Sequence, residues 1–475
     1  MVFSSLLFVF PFLTANLLSQ ILIKSPRKKN IAMLIFSLIF YSWSGPRYLI
    51  LLVGMSFICY VGAQLIEASE RHQRLCMWVT VLLCLVILGI FKYTGFFLTN
   101  IQGIFGVPEV IPRIVLPIGI SFYTFQLISY VVDVYRGEVE AQKKYWMLLL
   151  YASLFHQCIA GPIVRYQDIR DDIVSRRTTQ REISEGISRF AAGLAKKAIL
   201  ANGCAAVADS LLAAGESELA SLPSLGVFFG ACAYTLQIYL DFSAYSDMAI
   251  GMGLMCGFHY KENFNYPYVS DSITEFWRRW HISLSSFFRD YVYIPLGGSR
   301  CGLGRQIFNL FVVWGLTGLW HGASWNFVLW GLYYGLLLCL ERYVFADVMD
   351  RMPRLLRHVL VMLLVIFGWI LFKFTDIHML GLALKGLFGL NHNGFTSTSV
   401  ALVFKNNMYF LLFCVIAVTP LGKYLRRILQ NLSKRGGLPH LINGLWEIAH
   451  PAALLILSAM ALAGNSYNPF LYFQF

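Results

Sequence analysis

Charge is scarce in this sequence. Only 13% of its 475 residues are Asp, Glu, Lys or Arg, against roughly a quarter in a soluble domain. That scarcity excludes the three or so soluble domains that length alone suggests at ~150 residues each. Acidic residues are the rarer sign, 25 against 38 Lys and Arg, for a net charge of +13. No basic stripe on a soluble pattern and no RNA-recognition motif accompanies the excess, so it does not point to nucleic acid. The ten cysteines, among them Cys301 and Cys339, form no CxxC pair, which argues against a disulfide framework and a metal site. Most lie in apolar runs, where a free cysteine acts as a small hydrophobe. Repeats and low-complexity tracts are absent. So is a soluble catalytic domain, which leaves the membrane as the place for any chemistry.

What is there is apolar sequence from end to end, 57% hydrophobic with mean hydropathy +0.62. Runs fall near 3–23, 31–45, 48–66, 76–99, 114–132, 145–164, 222–258, 307–340, 356–374, 401–421 and 445–464. A crossing takes ~20 apolar residues. The expectation is an all-α polytopic integral membrane protein, one domain over 1–475, with ten to twelve crossings plus re-entrant and amphipathic helices. The N-terminal MVFSSLLFVFPFLTANLLSQ has no basic region before its apolar stretch and reads as a first membrane helix rather than a cleaved leader. The run 222–258 fits two helices or one long one. The run 307–340 is expected to break where Gly315, Gly318 and Gly322 crowd.

Basic residues collect between the runs: Lys24 to Lys29, Arg71 and Arg74, the stretch Arg165 to Lys197 with Arg176 and Lys196, Arg351 to Arg357, and Lys423 to Arg435. These loops are expected on the cytoplasmic face of a cell membrane, with the N-terminus outside. The run 145–164 has basic residues at both flanks, so it is expected to dip in and return. Irregular backbone at that depth needs protein or a water-filled cavity around it, and a cavity is expected near 155–165. The polar stretch 169–200 reads as helix, with Thr178 or Thr179 as cap ahead of Glu182.

Three groups of polar residues stand out against this background, because ionisable groups inside a bilayer are costly and usually functional. His321 lies in LWHGASWNFVLWG, with no charge between Arg305 and Glu341. On a continuous helix Thr317, His321 and Ser324 share a face. A neutral imidazole there can serve as a general base, or it can simply bond a carbonyl freed by the glycine break. The stretch 275–300, EFWRRWHISLSSFFRDYVYIPLGGSR, spaces its aromatics as an amphipathic helix ended by the turn Pro295–Gly298. His281 falls toward its apolar side. Arg278, Arg279 and Arg289 read as cationic interfacial anchors, with Arg278 and Arg279 alternatively meeting a phosphate-bearing donor. In 234–253, Gln237, Asp241 and Tyr245 form one stripe. Asp241 needs a partner such as an arginine, as a structural ion pair or in a substrate role, and Asp247 lies on another face. Ala249, Gly253 and Gly257 make a small-residue packing face.

Taken together, QIYLDFSAYSDMAIGMGLMCGF, ENFNYPY, EFWRRWHISLSSFFRDYVYIPLGGSR and LWHGASWNFVLWG resemble the membrane-bound O-acyltransferases. The nearest branch is the bacterial one of alginate O-acetylase membrane subunits, peptidoglycan O-acetyltransferases and D-alanyl transfer proteins of teichoic acids. MVFSS, LPIGISFYTFQLISYVVDVYRG, AGPIVRY and the terminal YFQF are similar to that branch too, so the resemblance covers nearly the whole chain. Two departures are structural: FHQC where a proline usually follows the phenylalanine, and Ala244 where glycine is usual.

The resemblance implies a ring of tilted helices around a thinned centre, funnels from both faces, and His321 as catalytic histidine with His281 as the second. It also implies a cytoplasmic thioester donor such as acetyl-CoA, used as co-substrate with no tightly bound cofactor. The acceptor is an extracytoplasmic polysaccharide, reached through an exported SGNH-type transferase or esterase. Asp241, Asn326, Ser324, Arg278 and Arg279 are candidates for substrate binding, with Arg165 a further cation for the donor. Two rivals stay open. A lipid or protein O-acyltransferase shares the histidine. A saccharide transporter or flippase predicts pseudo-symmetric halves, whereas the polar signatures here concentrate in 230–331.

Overall fold

The computed structural model describes residues 2–43, 45–106, 114–159, 161–212, 215–434 and 436–464. Met1, Ala160 of AGPIVRY, Arg435 and the terminal YFQF lie outside the described residues. All regular structure among the described residues is helical. Among the described residues, seven helices are long and apolar enough to cross a membrane: Pro46–Ala68, Gln73–Phe105, Gln180–Leu211, Ser224–Cys256, Arg354–Lys373, Thr398–Ala417 and Leu438–Gly464. The protein is an all-α polytopic membrane protein. Further runs counted toward the expected ten to twelve crossings fold as shorter helices: Phe8–Leu22, Pro26–Ser42, Ile120–Tyr135, Leu303–His321 and Trp325–Tyr343. At 1.5 Å per residue these reach about 22–28 Å, against a ~30 Å hydrocarbon core that takes helices of about 17–25 residues.

The chain clusters into two compact units. One comprises Met1–Phe190 and Tyr245–Glu262, the other Ala191–Ala244 and Asn263–Phe475. In the first unit the run 145–164 begins as the nine-residue helix Tyr145–Ser153. Nine residues reach about 14 Å, half the core, so this run does not cross as a helix. It continues as irregular backbone in which Leu154, Phe155, His156, Gln157 and Cys158 are buried. The backbone is held by protein: the Tyr151 hydroxyl donates to the Val164 carbonyl at 2.9 Å and the Gln157 amide to the Tyr151 carbonyl at 2.9 Å.

The polar stretch 169–200 does more than expected. Thr179, not Thr178, caps the helix. Its backbone N–H donates to the Glu182 carboxylate at 2.7 Å, and the Glu182 N–H donates to the Thr179 hydroxyl at 3.2 Å. The helix begun there runs to Leu211 as a candidate span, through a π-helical turn at Lys196–Ala201. Apolar patterning did not single out this span because its apolar residues are small and much of it packs inside the protein. Two basic residues assigned to a cytoplasmic loop are in fact buried. Lys197 lies within this helix. Arg176 donates to the side-chain oxygens of Asn30 and Gln20 and lies over the Phe258 ring.

The run 222–258 is one helix, Ser224–Cys256, of 33 residues. It packs backbone to backbone at Gly251, where a Cβ would press on the Gly186 carbonyl and the Phe190 backbone. Gly257 lies beyond the helix end at φ +80, and Gly253 is covered by Phe258 and Tyr260, so the expected stripe of Ala249, Gly253 and Gly257 is not one helix face. Asp247 does occupy a face of its own, paired with Arg189 at 3.0 Å.

Candidate active site

The second unit contains His321 and its surroundings. The Leu303–His321 helix ends at the histidine itself, Gly322 follows in extended backbone at φ −171, and Ser324 precedes the Trp325–Tyr343 helix. The expected break is therefore present. The two helices press together backbone to backbone. A Cβ on Gly318 would collide with the Phe327 carbonyl, and one on Gly331 with the Trp314 carbonyl. Gly322 faces the Phe327 ring, whereas Gly315 meets nothing and does not shape the break.

His321 is 4% exposed. Trp320, Trp330 and Phe372 stand edge-on to its ring with centroids at 5.0, 5.0 and 5.2 Å. The break removes the single face expected for Thr317, His321 and Ser324. The Thr317 hydroxyl donates to the Val313 carbonyl at 2.7 Å, and the Ser324 hydroxyl to the Thr375 carbonyl at 3.1 Å. Asn326 is buried and donates to the carbonyls of Leu371 and Phe372 at 3.3 and 3.2 Å. It thereby fixes the segment whose phenylalanine walls His321.

The expected amphipathic helix over 275–300 is interrupted. Ile273–Arg279 and Ile282–Phe288 are separate helices, with His281 between them in the left-handed region at φ +45. For a residue with a Cβ this conformation costs about 1–3 kcal/mol. A neighbouring segment holds it. The Ile282 N–H donates to the Asn263 carbonyl at 2.9 Å, Ser283 bonds the Asn263 side chain, and the Asn265 N–H donates to the Arg279 carbonyl at 2.9 Å. At the other end the Glu341 carboxylate accepts from the backbone of Ile273 and Thr274 at 2.6 and 3.0 Å, an anion at a helix N-terminus.

His281 is 1% exposed and packs on Phe242 at 4.6 Å and Trp320 at 5.8 Å. Its Nδ1 lies 3.5 Å from the Ser283 hydroxyl, and its Nε2 has no partner among the described residues. Burial pushes its pKa down to about 3, so the ring is neutral at working pH. One indole, Trp320, touches both imidazoles.

The remaining candidates are placed differently. Asp241 forms an ion pair with Lys197 at 2.8 Å, both side chains almost wholly buried. The partner is a lysine, not the expected arginine, because the helix carrying Lys197 passes beside Asp241 instead of leaving the protein. Arg278 is exposed. Arg279 pairs with Glu275 at 2.8 Å and donates to the Asn265 carbonyl at 3.1 Å. Arg289 pairs with Asp290 at 2.7 Å. Sequence reasoning passed over Lys197, Phe242, Phe372 and Glu341. Only Lys197 left a signal, as part of a lysine pair inside a helical pattern of small residues. No group of three or more His, Cys, Asp or Glu among the described residues is arranged to hold a metal ion.

Two neutral-capable imidazoles in an aromatic enclosure suit proton transfer in a site kept free of bulk water. Residues 145–384 match the membrane-bound O-acyltransferase family. Among curated proteins the chain is 38% identical to a probable alginate O-acetylase of Azotobacter vinelandii, over 100% of both chains. It is 31% identical to a peptidoglycan O-acetyltransferase of Helicobacter pylori, over 100% of this chain and 98% of that one. It is 27% identical to a teichoic acid D-alanyltransferase of Bacillus subtilis, over 46% of this chain and 58% of that one.

Proposed function

The chain belongs to the membrane-bound O-acyltransferase family and is an O-acyltransferase; from that premise we propose that it moves an acetyl group from a cytoplasmic thioester, acetyl-CoA, to an extracytoplasmic polysaccharide. The full-length relatives named for alginate and peptidoglycan acetylation support that acceptor class. The observation that carries the mechanism is His321 at a helix break, enclosed by Trp320, Trp330 and Phe372. The acceptor hydroxyl gives its proton to His321 as its oxygen attacks the thioester carbonyl. The carbon–sulfur bond then breaks, and the leaving thiolate takes the proton back from His321. The aromatic walls limit hydrolysis of the acyl group by keeping water out. His281, neutral and facing the same indole, orients the reactants without competing as a base. Asn326 holds the Phe372 wall, and Asp241 with Lys197 braces the helices behind. Arg278, exposed, meets the phosphates of the donor. An exported SGNH-type protein relays the group to the polymer, and the protein sits in the cytoplasmic membrane with its N-terminus outside.

The test uses sealed vesicles containing the full chain in known orientation, with radiolabelled acetyl-CoA supplied to one face. Label should reach a polysaccharide or exported acceptor protein on the opposite face, and His321→Ala should stop it while inserting normally. Wild-type transfer by a properly inserted alanine variant ends the assignment of His321. Label appearing in lipid identifies a lipid acyltransferase instead. Saccharide movement with no acyl transfer identifies a flippase.

A further inference from the structure

The candidate spans Thr398–Ala417 and Leu438–Gly464 are joined by a segment that contains one helix, Leu421–Ser433. Thirteen residues reach about 20 Å, too short to cross. None of them is buried. Leu421, Tyr424, Leu425, Ile428 and Leu432 are all exposed and follow helical spacing along one stripe. Lys423, Arg426 and Arg427 occupy the opposite side, and Lys434 follows. No Asp or Glu occurs between Asp376 and Glu447, and none of the three cations forms an ion pair among the described residues.

A helix between two consecutive crossings starts and ends at one membrane face. Its apolar stripe, left uncovered by the protein, is therefore at the depth where acyl chains begin. Its cations face the headgroup layer, and with no ion pair among the described residues they are left for phosphate. We propose that Leu421–Ser433 lies in the plane of the membrane surface, with its apolar stripe in lipid and Lys423, Arg426 and Arg427 holding anionic phospholipid headgroups. Such a helix anchors this stretch of the chain with a strength that the lipid composition sets. The inference is independent of the acyl-transfer chemistry, since it uses no residue of that site.

The experiment places a genetically encoded fluorescent amino acid at Ile428 or at Gln430 of the full chain, reconstituted in vesicles of 3:1 phosphatidylcholine to phosphatidylglycerol. Acyl-brominated lipid should quench the probe at 428, and aqueous iodide the probe at 430. At equal mole fraction, brominated phosphatidylglycerol should quench the 428 probe several-fold more than brominated phosphatidylcholine. The preference should fall by up to about fivefold for each charge lost in K423Q, R426Q and R427Q, and it should survive millimolar inorganic phosphate. Equal quenching by the two lipids overturns the anionic preference. Loss of the preference in phosphate assigns the cations to a soluble anion. A 428 probe shielded from both quenchers shows the stripe covered by protein, and equal iodide access at both positions removes the helix from the interface. Each of these four outcomes overturns the proposal.

Discussion

His259 and His281 show the same side chain held in two opposite ways. In the first unit His259 is half exposed and sits between carboxylates, with Nδ1 3.3 Å from Asp172 and Nε2 3.0 Å from Glu182. Those bonds, led by the one to Glu182, raise its pKa. Around it Lys261 pairs with Asp168 at 2.6 Å, and Arg189 with both Asp247 and Glu262. In the second unit His281 is buried among Phe242, Phe264 and Trp320, and burial pushes it to about 3. A histidine stabilised as a cation is spent as a base near neutral pH, while one kept neutral can still bond and orient a substrate. His321 shares that aromatic kind of environment and adds a helix break on its C-terminal side. Carboxylates surround the first of these histidines, and aromatic rings the other two.

The comparison breaks most sharply through His321. His321→Ala should lower the transfer rate by about 10²–10⁴, while His259→Ala leaves it within a few-fold. Both are read as acetyl transferred per mole of correctly inserted protein. A comparable loss in both would erase the distinction between the two kinds of histidine. The next effect is on stability. Lys197→Met leaves the Asp241 carboxylate buried without its cation and should cost about 3–5 kcal/mol, read as a lower unfolding midpoint in detergent. Lys197→Met with Asp241→Leu should recover most of that loss. If the double variant also transfers acetyl normally, Asp241 serves only the fold. If it is stable and inactive, the substrate role considered from sequence returns.

Much of this was readable in the residues. His321, the break after it and the burial of His281 follow from one uncharged run, two glycines and an aromatic spacing. The position of the break was clear because Gly318 and Gly322 flank a lone polar ring. Lys197 was not clear, since positive charge beside a span usually marks a cytoplasmic loop, and only the tertiary position of Asp241 shows otherwise. The kink at His281 was hidden for a different reason. The Asn263–Asn265 segment imposes it from outside the helix, and helical periodicity cannot register a contact that arrives from elsewhere in the chain. Glu341 was invisible on the same ground, because it caps a helix 67 residues before it.

That imposed kink gives the third test. Asparagine tolerates the left-handed region, whereas a β-branched residue does not. His281→Asn and His281→Val both remove the imidazole, and both should slow transfer. The valine variant should be less stable than the asparagine variant by about 1–2 kcal/mol, seen as a lower unfolding midpoint. Equal midpoints would mean that the strained backbone at φ +45 relaxes at no cost, and that His281 is not held in place by its neighbours.

The smallest effect belongs to His259, and its sign is fixed by the direction of its shift. Its pKa is raised in the folded protein, first by the bond to Glu182 and then by Asp172. Folding therefore favours the protonated ring. The contribution is complete below the ordinary histidine value of about 6.5 and is lost as pH rises through the raised folded value. Because the side chain is 52% exposed, solvent screens the pair, and exposed pairs rarely exceed about 1 kcal/mol. The unfolding midpoint of the wild type should thus decline slightly more than that of His259→Gln between about pH 6 and 9, and the two should converge at the alkaline end. Raising the salt concentration should shrink the difference further. His281 predicts the contrary pattern. Neutral in the folded protein but titrating near 6.5 once unfolded, it contributes stability that is complete above about 6.5 and is lost as pH falls toward its folded value of about 3. His281→Asn should therefore remove a rise in the midpoint between about pH 5 and 7 and leave the alkaline decline unchanged. An alkaline decline that vanished in the His281 variant and persisted in the His259 variant would reverse the assignment of charge between the two sites.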